Sequence, residues 1–236
     1  MTGKLINLIF LHGWGSNAKS WENNTPYLVS AGYKCNALKL PGFDLPEPTY
    51  PWGIPEYAEF VVKEIGQNKD KYILIGHSFG GRIATYIAST QPQLVGKLIL
   101  TDSAGLNLEP KLLRTTLVCV SNLFEFVERM FPFLRNLRKI AVGLIGSKNY
   151  KDASIRMREI MKKVVNLDLK PNLSKITCPT LIIWGDNDEI TPKTMAEAFK
   201  KGIQHSQIKY INNAGHHAHS THATEWNKIV GEFLAK

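Results

Sequence analysis

Four residues typical of a buried strand, Tyr72-Ile73-Leu74-Ile75, run without a polar break into Gly76-His77-Ser78-Phe79-Gly80-Gly81. Ile83, Ala84, Ile87 and Ala88 then recur at helical spacing. A short apolar run reads as a buried strand and the recurrence as one face of a helix, so the chain must turn from strand to helix within a few residues. Glycines let such a turn bring the backbone close to its neighbours. One hydroxyl, that of Ser78, is then left at the tip of the turn, beside the positive end of the following helix. The Gly-x-Ser-x-Gly pattern is weak alone, but between a strand and a small-residue helix it has the context it demands.

The flanking sequence repeats the alternation. Leu5–Leu11 reads as a strand, a helix over Lys19–Ser30 ends at Gly32, and Tyr33–Leu40 is a second strand stopped by Pro41-Gly42. Glu56–Ile65 is helical, and Leu98–Thr101 is the strand after the serine turn. Strands alternating with helices predict an α/β fold, a mostly parallel sheet flanked by helices. From Leu106 the alternation stops. Leu113, Leu117, Val120, Phe124, Val127 and Phe131 form one apolar stripe that Pro132 ends, and helical patterns follow over Leu134–Ile145 and Ile155–Val165. Strand patterns resume at Thr180–Trp184 and Gln207–Ile211, and the closing helix carries Trp226, Ile229, Val230 and Phe233 on one face. The expected organisation is a core over residues 1–105, a helical cap over 106–168, and the rest of the core over 169–236.

The net charge of +9 is concentrated in that insertion, where 12 Lys/Arg stand against 6 Asp/Glu between Leu106 and Asp168. No nucleic-acid recognition motif accompanies the charge, and the segment's apolar stripe is needed for packing, so a nucleic-acid role is rejected. Cys35, Cys119 and Cys178 sit singly with no metal-type spacing, as expected of free thiols in a reducing compartment. No apolar run approaches the roughly 20 residues that span a bilayer. His12-Gly13-Trp14-Gly15 follows the first apolar stretch where a signal peptide would have its cleavage site. A cytoplasmic protein is expected.

A serine hydroxyl needs a base, and the base needs an orienting carboxylate. Acids follow the strand at Leu181–Trp184, in Gly185-Asp186-Asn187-Asp188-Glu189, and histidines follow the last strand, in Asn213-Ala214-Gly215-His216-His217. Both groups lie just beyond the carboxyl ends of expected strands, where α/β sheets gather their sites. Asp102 also ends a strand and is an alternative acid. His216, His217, His219 and His222 superficially suggest a metal cluster, but no carboxylate or thiolate is interleaved with them, so no metal and no cofactor are expected.

Leu11-His12-Gly13-Trp14-Gly15, Leu40-Pro41-Gly42-Phe43, the serine turn, Gly185-Asp186-Asn187-Asp188 and Gly215-His216 together resemble the α/β-hydrolase family over nearly the whole chain. The resemblance implies Ser78 as nucleophile, Asp188 rather than Asp186 as acid, and His216 rather than His217 as base. It implies the backbone amides of Trp14 and Phe79 as the oxyanion hole, with His12 bonded to the oxyanion loop. The sequence departs from the family pattern in three ways. Two strands usual before Leu5 are missing, Asp44-Leu45-Pro46 stands where Gly-x-Ser is typical, and Thr221-His222-Ala223 stands where Glu-x-Pro is usual.

The resemblance leads to the expectation of a serine hydrolase cleaving carboxylic esters or lactones of small, largely apolar substrates. Carbon–carbon bond cleavage in diketone-type substrates is the alternative, since it uses the same triad, and a non-catalytic binding protein on this fold is the third reading. The basic residues Arg135, Arg138, Lys139, Arg156, Arg158, Lys162 and Lys163 read first as a solvated face. His-Gly-Trp-Gly also resembles the biotin-synthesis carboxylesterase, whose substrate rides on an acidic carrier, so an acidic acyl-carrier protein is a further expected partner.

Overall fold

The computed structural model describes residues 7–66, 71–108 and 153–236. Its strands are β1 (Asn7–Leu11), β2 (Lys34–Ala37), β3 (Tyr72–His77), β4 (Val95–Thr101), β5 (Thr180–Gly185) and β6 (Ser206–Ile211). They form one six-stranded sheet in the order β2-β1-β3-β4-β5-β6. Every neighbouring pair is parallel, which requires the chain to cross over between strands. The strand order reverses between β1 and β3, and such a switch point is where open α/β sheets place ligands.

Alternate strand residues feed two separate cores. On one face Leu11, Leu74, Leu98, Leu100, Ile182 and Trp184 pack with residues of α2 (Ile54–Ile65) and α3 (Phe79–Thr90). On the other, Leu8, Phe10, Ile73, Ile75, Ile99 and Ile183 pack under Trp21, Leu28 of α1 (Thr25–Ser30) and Trp226. β3 is buried on both faces from Tyr72 to His77, as its aliphatic run Ile73-Leu74-Ile75 allows, with the polar His77 at its carboxyl end. Fully burying each Leu or Ile contributes about 1.5–3 kcal/mol. Trp226 satisfies its indole by donating to Thr101 Oγ1 at 2.9 Å.

The helix expected over 19–30 is two pieces, a 3-10 turn at Ala18–Trp21 and α1. Pro26 explains the break, because it has no amide to continue the ladder yet fits the first turn of a new helix. For the same reason α2 starts at Ile54, with Pro55 in its first turn and Glu56 Oε2 accepting the Gly53 amide at 2.8 Å. A 3-10 turn at Lys170–Lys175 and a helix at 193–202 lack an expected counterpart. That helix buries only Ala196 and Phe199, too little apolar signal to read.

Most of the expected cap lies outside the described residues, including the stripe from Leu113 to Phe131, the pattern over Leu134–Ile145, Cys119, Arg135, Arg138 and Lys139. Its described end is α4 (Ile155–Asn166), which buries Met157, Ile160 and Val164. Arg82 on α3 holds that end down, its Nη1 donating to the carbonyls of Val164 at 3.0 Å and Leu167 at 3.1 Å. The remaining helices are α5 (Lys193–Gly202), α6 (Ala218–Thr221) and α7 (Ala223–Leu234). No described helix is long and apolar enough to cross a membrane.

Candidate active site

Ser78 occupies the single residue between β3 and α3, with φ 50° and ψ −109°. A non-glycine residue in such backbone costs roughly 1–3 kcal/mol. The surroundings hold it there. The Ser78 amide donates to the Thr101 carbonyl at 3.2 Å, and the Gly80 amide to the His12 carbonyl at 3.1 Å. A Cβ on Gly76 would sit 2.5 Å from the Gly80 carbonyl oxygen, and one on Gly80 would enter the carbonyls of Leu11 and His12. Both glycines of the pattern are therefore required by close approach.

Ser78 Oγ lies 3.0 Å from His216 Nε2, and His216 Nδ1 lies 2.8 Å from Asp188 Oδ2. With Nδ1–H donating to the carboxylate, Nε2 is left to accept the serine proton. Asp188 Oδ1 accepts the amides of Ile190 at 2.8 Å and Thr191 at 2.9 Å, and Oδ2 accepts Thr191 Oγ1 at 2.6 Å. Burial pushes the Asp188 carboxyl up, but hydrogen bonds from His216 and from the side chain and amide of Thr191 outweigh it, and the pKa falls below the usual range. Thr191, which no sequence motif singled out, also lies 3.2 Å from His216 Nδ1.

The other candidate acids do other work. Asp102 is fully buried with φ 43°. Its Oδ1 accepts the Gly185 amide at 2.8 Å, at the start of the acid turn, and its Oδ2 accepts the Ala218 amide at 3.2 Å, in the histidine turn. It thus clasps the turns carrying Asp188 and His216 together instead of orienting the His216 ring. Burial, relieved in part by those amides, pushes its pKa up to about 7. The Asp186 amide donates to the Ile211 carbonyl at 3.1 Å, and its carboxylate does not engage His216.

Behind His216, buried His77 donates from Nε2 to the His216 carbonyl at 2.7 Å. His77, Asp102 and His219 each bring a potential ligand atom within 4.8 Å of one another, the one such group among the described residues. Metal binding would compete with bonds already made, because His77 Nε2 holds the His216 carbonyl and both Asp102 oxygens hold amides. The His219 ring packs between those of His77 and Trp21, with centroids 4.4 Å from each.

The loop after β1 also approaches Ser78, since a Cβ on Gly13 would lie 3.5 Å from Ser78 Cβ. Among the described residues, neither the Trp14 nor the Phe79 amide meets a backbone or side-chain acceptor. The Trp14 ring stands edge-on to Phe43 and Phe79, with centroids at 5.0 and 5.4 Å. His12 is fully buried behind this loop, with Nδ1 2.9 Å from the Gly13 carbonyl.

Comparison with known proteins places this architecture. The profile of the alpha/beta hydrolase family matches residues 8–229. A 2-hydroxy-6-oxononadienedioate/2-hydroxy-6-oxononatrienedioate hydrolase of Cupriavidus pinatubonensis (strain JMP 134 / LMG 1197) is 28% identical, over 96% of this chain and 86% of its own. A protein of the same name from Klebsiella pneumoniae is 26% identical, over 97% and 87%. The solved structure of MenH from S. aureus superposes with a TM-score of 0.74 at 24% identity, covering 99% of this chain and 95% of that one, and shows the shared fold.

Proposed function

This chain belongs to the alpha/beta hydrolase family, and from that premise we propose that it is a serine hydrolase cleaving a carbon–carbon bond beside a ketone in an anionic, vinylogous diketone acid. The supporting observation is the shared name of the curated relatives, which match nearly the whole chain. This reverses the ranking expected from the sequence, where ester cleavage led. Both reactions need the same nucleophile, base and oxyanion donors, so motifs alone do not separate them.

His216 Nε2 takes the Ser78 proton as Oγ adds to the ketone carbon, and Asp188 stabilises the imidazolium. The oxyanion faces the amides of Trp14 and Phe79. The carbon–carbon bond then breaks with its electron pair delocalised into the second carbonyl through the conjugated chain, and His216 returns the proton to that fragment. Water, deprotonated by His216, attacks the acyl-Ser78 and releases a carboxylate. One water is consumed per turnover, and no redox step occurs. The positive balance of +9 suits a substrate bearing carboxylates. α4 adds Arg156 and Lys163, with Arg156 3.9 Å from Glu47 and Lys163 donating to the Pro51 carbonyl at 2.7 Å.

The test is a steady-state panel of 2-hydroxy-6-oxo-dienoates, nitrophenyl esters and simple lactones with wild type and Ser78→Ala. Wild type is expected to favour a dienoate by at least about tenfold in kcat/KM, with both activities lost in the variant. Turnover of esters or lactones alone would restore the ester reading. Turnover only of acyl groups presented on an acidic carrier protein, weakening with salt, would favour the carrier-linked substrate instead.

A further inference from the structure

The unusual Asp44, in the loop after Leu40-Pro41-Gly42-Phe43, reaches the back of the oxyanion loop. Its Oδ2 accepts the Ala18 amide at 2.9 Å and lies 3.2 Å from Nε2 of His12. The His12 ring continues the connection, since Nδ1 is 2.9 Å from the Gly13 carbonyl. A carbonyl oxygen only accepts, so Nδ1 carries a hydrogen in this arrangement. The Nε2–Oδ2 approach is an electrostatic contact without hydrogen-bond geometry, and burial lowers the His12 pKa although the Gly13 carbonyl and Asp44 act to raise it. The His12 side chain is fully buried, while that of Asp44 is 15% exposed.

These contacts bracket the segment carrying the Trp14 amide. Gly13 is held through the His12 ring and Ala18 by Asp44 directly, while the Ser16 amide closes the turn onto the Gly13 carbonyl at 3.2 Å. The His12 carbonyl also accepts the Gly80 amide at 3.1 Å, joining the loop to the serine turn. The geometry points to Asp44 as a positioning residue for the oxyanion hole, acting through His12 and Ala18 to fix the Trp14 amide relative to Ser78. It touches no reacting atom. The inference rests on the proposed serine chemistry for its kinetic consequence, but not for its structural one.

The distinction matters because an oxyanion donor works only where the developing charge will be, and losing one typically costs about 100-fold or more in rate. A loop released at its back keeps the donor but loses its aim. Asp44→Ala removes both contacts. Asp44→Asn keeps an acceptor oxygen for one of them while removing the negative charge.

Two readouts separate the structural claim from the chemical one. The first is hydrogen exchange of residues 13–18, which needs no turnover. The second is the phosphonylation of Ser78 by an alkyl fluorophosphonate, resolved into a maximal rate and a half-saturating concentration. In Asp44→Ala, protection of 13–18 is expected to fall by at least about tenfold, and the maximal phosphonylation rate by a similar factor, with half-saturation within about twofold of wild type. Asp44→Asn should lie between, and both variants should retain protection in β3 and β5. A role confined to overall stability would lower protection throughout and leave the maximal rate of the folded fraction unchanged, overturning the proposal. Wild-type protection and rate in Asp44→Ala would overturn it too. If wild type escapes phosphonylation while Asp44→Ala still loses protection only at 13–18, the serine reading fails and the positioning of the loop stands.

Discussion

Two aspartate–histidine pairs flank Ser78, and the same two residue types serve different ends. On the base side Asp188 holds His216 Nδ1 at 2.8 Å and the other nitrogen is left facing the serine hydroxyl. On the oxyanion side Asp44 lies 3.2 Å from His12 Nε2, and the other nitrogen is occupied by the chain's own Gly13 carbonyl. The two rings thus differ in the partner of the second nitrogen. The His216 ring faces a hydroxyl that it can deprotonate, while the His12 ring is set between the Gly13 carbonyl and the Asp44 carboxylate. Burial follows the same division, because His12 is sealed from solvent and the His216 side chain keeps 9% exposure.

The largest expected effects break the base side. Ser78→Ala should lower kcat by about 10⁵–10⁶-fold with KM little changed, since the members of such a triad act as a unit. Asp188→Asn, measured on the same substrate, should cost about 10⁴-fold because the amide no longer selects the productive imidazole tautomer. These losses exceed the roughly tenfold loss expected of Asp44→Ala, and equal losses on the two sides would erase the distinction.

A smaller effect sharpens it. Thr191→Val removes the 2.6 Å hydrogen bond to Asp188 Oδ2 and leaves that buried oxygen less satisfied. The variant should lose about 1–3 kcal/mol of stability at neutral pH. The depressed Asp188 pKa contributes stability that is present above the unfolded carboxyl value of 3.8 and is lost as pH falls through the lower folded value. The wild-type advantage should therefore shrink in acid, as denaturant unfolding at several pH values would show.

A pH-dependent effect concerns Asp102. Its folded pKa of about 7 lies above the unfolded 3.8. The native state therefore binds more protons in that window, and stability from this group falls as pH rises through it. Between about pH 5 and about pH 8 the melting temperature should drop more in wild type than in Asp102→Asn. An identical drop in the two proteins would contradict the buried, raised carboxyl.

The serine turn was legible because its determinants are local: a buried strand, two glycines at points of close approach, and a helix face, all within residues 72–88. Asp188 and His216 were legible through chain order and their places at strand ends. The Asp44–His12 pair was not, because its members are far apart in sequence and meet only when the loops after β1 and β2 lie side by side. Asp102 was read as an alternative acid because a strand-end aspartate looks alike in sequence whether it faces an imidazole or two amides. Thr191 carried no signal beyond preceding a proline. The break between residues 22 and 24 was written in Pro26, but the surrounding apolar spacing hid it.

The most direct test of the account is peptide mapping by mass spectrometry after exposing native protein to an alkyl fluorophosphonate. One phosphonyl adduct is expected, on the peptide containing Ser78, absent from Ser78→Ala and strongly slowed in Asp188→Asn. An adduct on another residue, or an unmodified Ser78 in folded wild type, would contradict it.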